Sequence, residues 1–390
     1  MDFKFFDADN HYYEAEDAFT RYPSDRMASE RYVRWLTEAD GKRRRLFFGT
    51  READTVTNPT FHKVIAPGSY HGVLMQQTDH RTPRVALDTA PISPAYRSRE
   101  ARLAAMDEQG VEKIVLFPTL GVTVEGLMAD DADMLHDCFH AFNRWLDDDW
   151  GFAHQDRIFA APYISLRDVD RAVQELEWVL DHGARVITMR PGPAYGRSPA
   201  HPHYDPFWAR VNEAGVTVVV HAGDAGLSSN GYAVDGFSAS FRAGGAMRPS
   251  IKLFAIERAA HDWLATLILE KLFDRFPNVR IASVENGSEF LAPLFRKLRT
   301  TARRMPGYFT EDPVDTFRRQ VWINPFWEDD VEEIVDLMGD DRVIFGSDWP
   351  HVEGLPEPTD WVTELQKLPA SSVPKIMGAN TSELNERRPR

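Results

Sequence analysis

Eight short runs of β-branched and aromatic residues, each followed by a polar-apolar helical pattern, constrain this chain more than any other feature. They are FKFFDAD (3–9), KIVLFP (113–118), RIFAAPYI (157–164), ARVITMR (184–190), VTVVVHA (216–222), VRIASVE (279–285), QVWIN (320–324) and RVIFGSD (342–348). Most are apolar throughout rather than alternating, which is the pattern of strands covered on both faces. Between them, SREARLAAMDEQG (98–110), DVDRAVQELEWVLDHG (168–183) and HDWLATLILEKLFDRFPN (261–278) place apolar residues at helical spacing, and the first two end on glycine. Strand and helix alternating eight times predict an α/β fold, a (β/α)8 barrel of TIM type. A single barrel domain spanning 1–390 accommodates the length once insertions are allowed.

Two stretches break the rhythm. Residues 15–97, with GKRRRLFFGT (41–50) and a proline-punctuated tail, lie between the first strand and its helix, where an insertion would form a lid or pocket wall. The basic run from Lys42 to Arg45 reads as a solvated turn rather than a binding patch. Residues 223–260, rich in glycine and serine, predict a second loop over the same mouth.

Composition excludes several partners. A net charge of −15 disfavours nucleic acid and anionic membrane surfaces. No apolar run reaches the length of a membrane span, and the first residues turn acidic at once, unlike a signal peptide. The lone Cys138 sits in an amphipathic helical pattern and allows neither an internal disulfide nor a cysteine metal cage. These features predict a soluble, cytoplasmic protein acting on a small molecule; association into a homo-oligomer is compatible with them.

Barrel active sites gather where strands end. Here the ends carry Asp7, Asp9 and His11 in DADNH, then Arg190, His221, Glu285 and Asp348. Period-2 alternation places Asp7, Asp9 and His11 on one strand face. Each residue alone has a bland reading: a strand-end polar cap, a helix-capping acid, a turn aspartate. Their joint position favours a divalent-metal site built from oxygen and imidazole donors.

DADNH, HGARVITMRP (182–191), YDPFWARVNEAGVTVVVHAG (204–223), LFDRFPNVRIASVENG (272–287), RVIFGSDWPH (342–351) and KIMGANTSELN (375–385) together resemble the amidohydrolase superfamily, in its aminocarboxymuconate-semialdehyde-decarboxylase-like branch. The resemblance covers the first strand and about 98–385, leaving 15–97 outside. It implies a metal site in which His11, His221 and Asp348 match family ligands. Asp9 stands where the first motif histidine belongs, Glu285 where a strand-six histidine is usual, and Arg190 matches no metal role and would partner a substrate carboxylate.

The set Asp9, His11, His221, Glu285 and Asp348 carries a formal −3, more than one divalent ion balances in a buried cup. That count, with the two substitutions, resembles the carboxylate-rich diiron monooxygenases that hydroxylate terpenoid intermediates. Two iron ions are therefore expected: Asp9, His11 and Asp348 on one, His221 and Glu285 on the other, with O2 and an electron donor as co-reactants. The alternative is one Zn or Mn ion in a hydrolase, hydratase or non-oxidative decarboxylase acting on a small carboxylic acid. There Glu285 or Asp348 would be the acid/base and Arg190 a clamp. A barrel that only binds a ligand is the third reading. Asp7 is expected to orient His11 or a ligand from behind; Glu14 and His261 are candidates for extra ligands, a structural role being favoured for each, and His351 is expected to stand behind the ligands rather than among them. Glu328 reads as a helix-start acid.

Overall fold

The computed structural model describes residues 3–37, 39, 44–53, 63–69, 89–223, 255–326 and 329–389. Seven of the eight expected strands form parallel ladders. One sheet runs in the order β1 (Phe5–Tyr12), β7 (Val111–Pro118), β8 (Ile158–Ala160). The other runs β12 (Val321–Ile323), β11 (Arg280–Val284), β10 (Thr217–His221), β9 (Val186–Met189). At one seam two hydrogen bonds join them. Ile164 N–H donates to Thr188 O and Thr188 N–H to Pro162 O, each at 2.9 Å.

At the other seam the eighth expected strand, 342–348, is no regular ladder strand. It still bridges both sheets: Ile344 N–H donates to Ile323 O at 2.9 Å and Ala8 N–H to Phe345 O at 2.8 Å. Its irregularity has a cause further along. Asp348 takes a left-handed φ of 55°, so the chain leaves extended geometry where the candidate site begins.

All eight segments supply the inner core, among them Phe6, Ala8, Phe117, Phe159, Val186, Val219, Ala282, Trp322 and Ile344. Their neighbours in sequence, such as Ile114, Ile187, Val218, Val220 and Ile281, pack outward against helices. Burial on both faces is why these strands read as continuous apolar runs.

The helices follow their sequence signals. Among them, α2 (Arg99–Gln109) starts on Ser98, whose side chain accepts from Ala101 N–H, and stops at Gly110 with φ 73°. Helix α4 (Val169–Asp181) starts on Asp168 in the same way. Cys138 is buried in α3 (Ala132–Asp149). The helix expected from 261 begins earlier, as Ala255–Leu269, so the 223–260 loop is shorter than predicted; 224–254 lie outside the described residues.

The 15–97 segment has structure of its own. A short helix, Asp25–Glu30, precedes an antiparallel sheet of β2 (Val33–Thr37), β3 (Arg44–Phe48) and β4 (Arg51–Glu52). An antiparallel pair, β5 (Lys63–Ile65) and β6 (Thr89–Pro91), follows. Arg44 and Arg45 belong to β3, with ion pairs to Glu16 and Glu52, rather than to a turn; Lys42 and Arg43 lie outside the described residues. No described helix is long and apolar enough to cross a membrane.

Candidate metal centre

Strand β1 does not keep simple alternation. Asp7 pairs with Ile114 but Asn10 pairs with Leu116, so three steps on β1 face two on β7. This bulge resets which side chains point inward. Asp7 and Asn10 oppose Ile114 and Leu116, which pack outward, whereas His11 opposes the inner-core Phe117. Asp7 therefore does not share a face with Asp9 and His11, contrary to the period-2 expectation.

Asp7 touches not His11 but the backbone at two other candidate ligands, Asp9 and, through Ser347, Asp348. Its carboxyl accepts from Asp9 N–H at 3.1 Å, Asn10 Nδ2 at 2.9 Å, Ser347 N–H at 2.9 Å and Ser347 Oγ at 2.5 Å. It locks the strand end to the turn that carries Asp348. Burial pushes its pKa up to about 7 against the pull of those hydrogen bonds. Arg102, fully buried between the rings of Trp150 and Trp349, braces the same strand end through His11 O at 2.6 Å, Ala95 O at 2.7 Å and Asn10 Oδ1.

Asp9, His11, His221 and Glu285 converge so that one donor atom of each lies within 4.8 Å of every other. His11 Nε2 is 3.2 Å from Asp9 Oδ1 and 3.4 Å from Asp348 Oδ1. His221 Nε2 is 3.3 Å from Asp9 Oδ1 and 3.4 Å from Glu285 Oε2. Gly346 makes room for this approach, since a Cβ there would lie 2.6 Å from Asp9 Cβ.

The tautomers matter here. His11 Nδ1 faces Pro118 O at 3.3 Å and His221 Nδ1 faces Ala222 O at 2.7 Å. A carbonyl only accepts, so Nδ1 holds the proton and Nε2 turns a lone pair toward carboxylate oxygens. Lone pairs face lone pairs. His11 Nε2 and Asp348 Oδ2 are also buried with no hydrogen-bond partner. A cation resolves this arrangement. Bonds of about 2.1 Å to N and O donors would separate neighbouring ligands by about 3.0 to 3.4 Å, matching these spacings.

Electrostatics agree. Burial and then the nearby His351 pull His11 down to about 3, which keeps it neutral and able to ligate. Burial resists ionisation of Asp9, but the His11 and His221 rings beside it outweigh it and hold the carboxyl below the usual range. Burial, followed by charges that include Asp9, pushes the Glu285 and Asp348 carboxyls well above theirs. Both residues sit at positive φ, 59° and 55°.

His351 joins the centre from behind, its Nδ1 2.6 Å from Asp348 Oδ1 and its Nε2 2.9 Å from Thr119 Oγ1. The two candidates for extra ligands stand apart. Glu14 accepts from Leu120 and Gly121 N–H groups at 2.8 and 2.9 Å, and burial raises it to about 7. His261 is partly exposed against Asp262 and Phe290. Arg190 meets not an open cup but Glu125, its Nε 3.5 Å from Oε2. Glu328 lies outside the described residues.

Sequence reading missed Glu353, which groups with Glu285 and Asp348 as a third donor set. Its signal was available: a second acid five residues past Asp348 in DWPHVEG, on the same loop. Glu125 carried no signal, because it lies in a short helical turn, Glu125–Met128, after the second barrel strand.

Parallel strands flanked by helices, with imidazoles and carboxylates crowded at the strand ends, define an α/β protein with a candidate metal centre where its strands finish. Residues 81–384 match the family profile described as Amidohydrolase, and the chain belongs to that family of enzymes. It is 38% identical to an amidohydrolase from Mycobacterium avium subsp. paratuberculosis K-10 of solved structure, with a TM-score of 0.90, covering 99% of this chain and 100% of that one. That likeness takes in the 15–97 segment, which the sequence resemblance had left outside. A gamma-resorcylate decarboxylase from Rhodococcus jostii (strain RHA1) is 26% identical over 288 residues, 67% of this chain and 80% of its own. A 5-carboxyvanillate decarboxylase from Novosphingobium aromaticivorans, solved with bound manganese, shares the fold at 17% identity and a TM-score of 0.61, covering 98% and 97%.

Proposed function

We propose that this chain is a metal-dependent enzyme that removes or hydrolyses a carboxyl-derived group of a small organic acid, non-oxidative decarboxylation on one Mn or Zn ion being the reaction favoured. One observation carries the metal dependence: the buried Nε2 atoms of His11 and His221 turn toward Asp9 Oδ1 at 3.2 and 3.3 Å, and His11 Nε2 also toward Asp348 Oδ1 at 3.4 Å, which is ligand-to-ligand spacing. The decarboxylase relative in Rhodococcus supports the choice of reaction, and the manganese in the Novosphingobium structure supports the choice of ion.

Asp9, His11, His221 and Asp348 would hold the ion, which when bound supplies Lewis acidity to a substrate oxygen. Glu285, whose carboxyl burial and neighbouring charge push well above its usual range, stands at the edge of the centre as the acid. Asp7 and Arg102 keep the ligand-bearing backbone in place.

A second reading rests on the donor count. Three overlapping sets, Asp9–His11–His221–Glu285, His11–Asp348–His351 and Glu285–Asp348–Glu353, offer more carboxylate than one ion needs. A dinuclear iron centre that uses O2 and an external electron donor to hydroxylate an apolar, terpenoid-like molecule would use that surplus. Metal analysis of anaerobically purified protein, with turnover measured with and without oxygen, decides. One Mn or Zn per chain and oxygen-independent turnover are expected. Two irons with oxygen-dependent turnover select the second reading, and a metal-free active protein overturns both.

A further inference from the structure

Glu14 is a buried acid with no part in the chemistry proposed above. What it holds is one short segment. Strand β7 ends at Pro118, which pairs with Tyr12 and has no N–H of its own to give. The residues that follow are tied to β1 and its extension instead. Thr119 Oγ1 donates to Tyr12 O at 2.7 Å, and the Leu120 and Gly121 N–H groups donate to Glu14 Oε1 at 2.8 and 2.9 Å. Leu120 and Gly121 are both buried, so Glu14 supplies the acceptor that water cannot.

The same segment reaches the candidate centre. Pro118 O faces His11 Nδ1 at 3.3 Å, and Thr119 Oγ1 faces His351 Nε2 at 2.9 Å. These two rings lie against each other, their centroids 4.0 Å apart. Further along, Val122 O packs so closely on Gly223, two residues past His221, that a Cβ there would lie 2.6 Å from it. Glu14 Oε2 has no hydrogen-bond partner among the described residues, so one oxygen does all the holding. An amide oxygen can accept from the same two N–H groups, which makes reach rather than charge the property the arrangement needs. Glu14 belongs to none of the three donor sets described above.

We propose that Glu14 is a positioning residue of the metal centre: by holding Leu120 and Gly121 it fixes Pro118 O and Thr119 Oγ1, and through them the ring orientations of His11 and His351. The proposal rests on the metal-dependent reading of the centre. It needs no particular metal count or reaction.

Two variants separate reach from charge. Glu14→Gln keeps an acceptor oxygen of the same reach and removes the charge, whereas Glu14→Asp keeps the charge and falls one methylene short. Mn is titrated into chelator-treated full-length protein and its binding followed by calorimetry. Glu14→Asp is expected to bind Mn about tenfold more weakly than wild type, and Glu14→Gln to stay within about threefold. The visible absorption of Co-loaded protein, which follows ligand geometry, is expected to change in Glu14→Asp and to keep its wild-type form in Glu14→Gln. The reverse order, weak binding in Glu14→Gln and wild-type binding in Glu14→Asp, makes charge the operative property and overturns the proposal. Unaltered affinity and absorption in Glu14→Asp overturn it too, whatever that variant does to the melting temperature. Should Glu14→Asp fail to fold, Thr119→Val removes the hydroxyl facing His351 and leaves Glu14 in place. It is expected to weaken Mn binding about tenfold and Thr119→Ser to restore it, and no effect of Thr119→Val overturns the proposal. Wild type that binds neither Mn nor Co sinks the function proposed above together with this role, whereas tight wild-type binding with unmoved variants sinks this role alone.

Discussion

Glu285 and Asp348 each hold a left-handed backbone, a conformation that costs a non-glycine residue on the order of 1 kcal/mol or more. Each also adds a carboxyl to a cup where burial already opposes charge. Neither feature serves the fold by itself. Both make sense if a cation offsets them. Asparagine tolerates positive φ and carries no charge, so Glu285→Asn is expected to raise the stability of metal-free protein by about 1 kcal/mol. The same change is expected to shrink the thermal upshift that added Mn produces. Denaturant unfolding and thermal melts, each with and without metal, check the pair of effects. A variant less stable without metal and unaltered in its response to metal would remove Glu285 from the centre.

At the scale of elements, loops behind the strands hold the ligands. Asp329 ties two of them together, accepting from Ser288 N–H at 3.1 Å, three residues past Glu285, and from Phe326 N–H at 2.7 Å. Burial raises its pKa from 3.8 to about 6 despite these bonds. The folded state therefore binds a proton that the unfolded chain has already released between those values. Stability from this group is present below pH 4 and is lost as pH rises to about 6, a loss of about 2 to 3 kcal/mol. Asp329→Asn is expected to lack that decline, so the wild-type minus variant stability should fall across pH 4 to 6 and stay flat above it. Urea unfolding at stepped pH measures it, and parallel profiles would show that Asp329 titrates normally.

Elements were legible in sequence to different degrees. Ladder strands and capped helices were readable because burial on both faces and Ser98, Asp168 and Gly110 leave local marks. The β1 bulge was not, because one extra residue against β7 is a property of the partner strand's register. It is what turned Asp7 from a supposed neighbour of His11 into the lock on Ser347. The 342–348 segment misled in the other direction: its apolar residues do join both sheets, but Asp348 bends the chain out of a regular ladder.

For the whole molecule, the place of the centre followed from strand ends alone, since parallel strands of a barrel finish on one side. How many ions it holds did not, because that depends on protons. Asp9 is held below the usual carboxylate range while Glu285 and Asp348 are pushed above it, so the formal −3 overstates the charge of the metal-free donor set. A cation binding there must displace any proton its ligands hold, and its binding free energy becomes stability of the folded chain. Chelator-treated protein is therefore expected to melt lower and to recover on titration with Mn, gaining about 4 kcal/mol at a free concentration a thousand times Kd. Proton release in weak buffer should accompany the recovery and cease at the same equivalence point. One equivalent supports a single ion, and a second proton-releasing step supports a pair. If Mn, Zn and Fe each leave both melting and proton balance unchanged, the buried lone pairs of His11 and His221 face no metal, and the centre is structural.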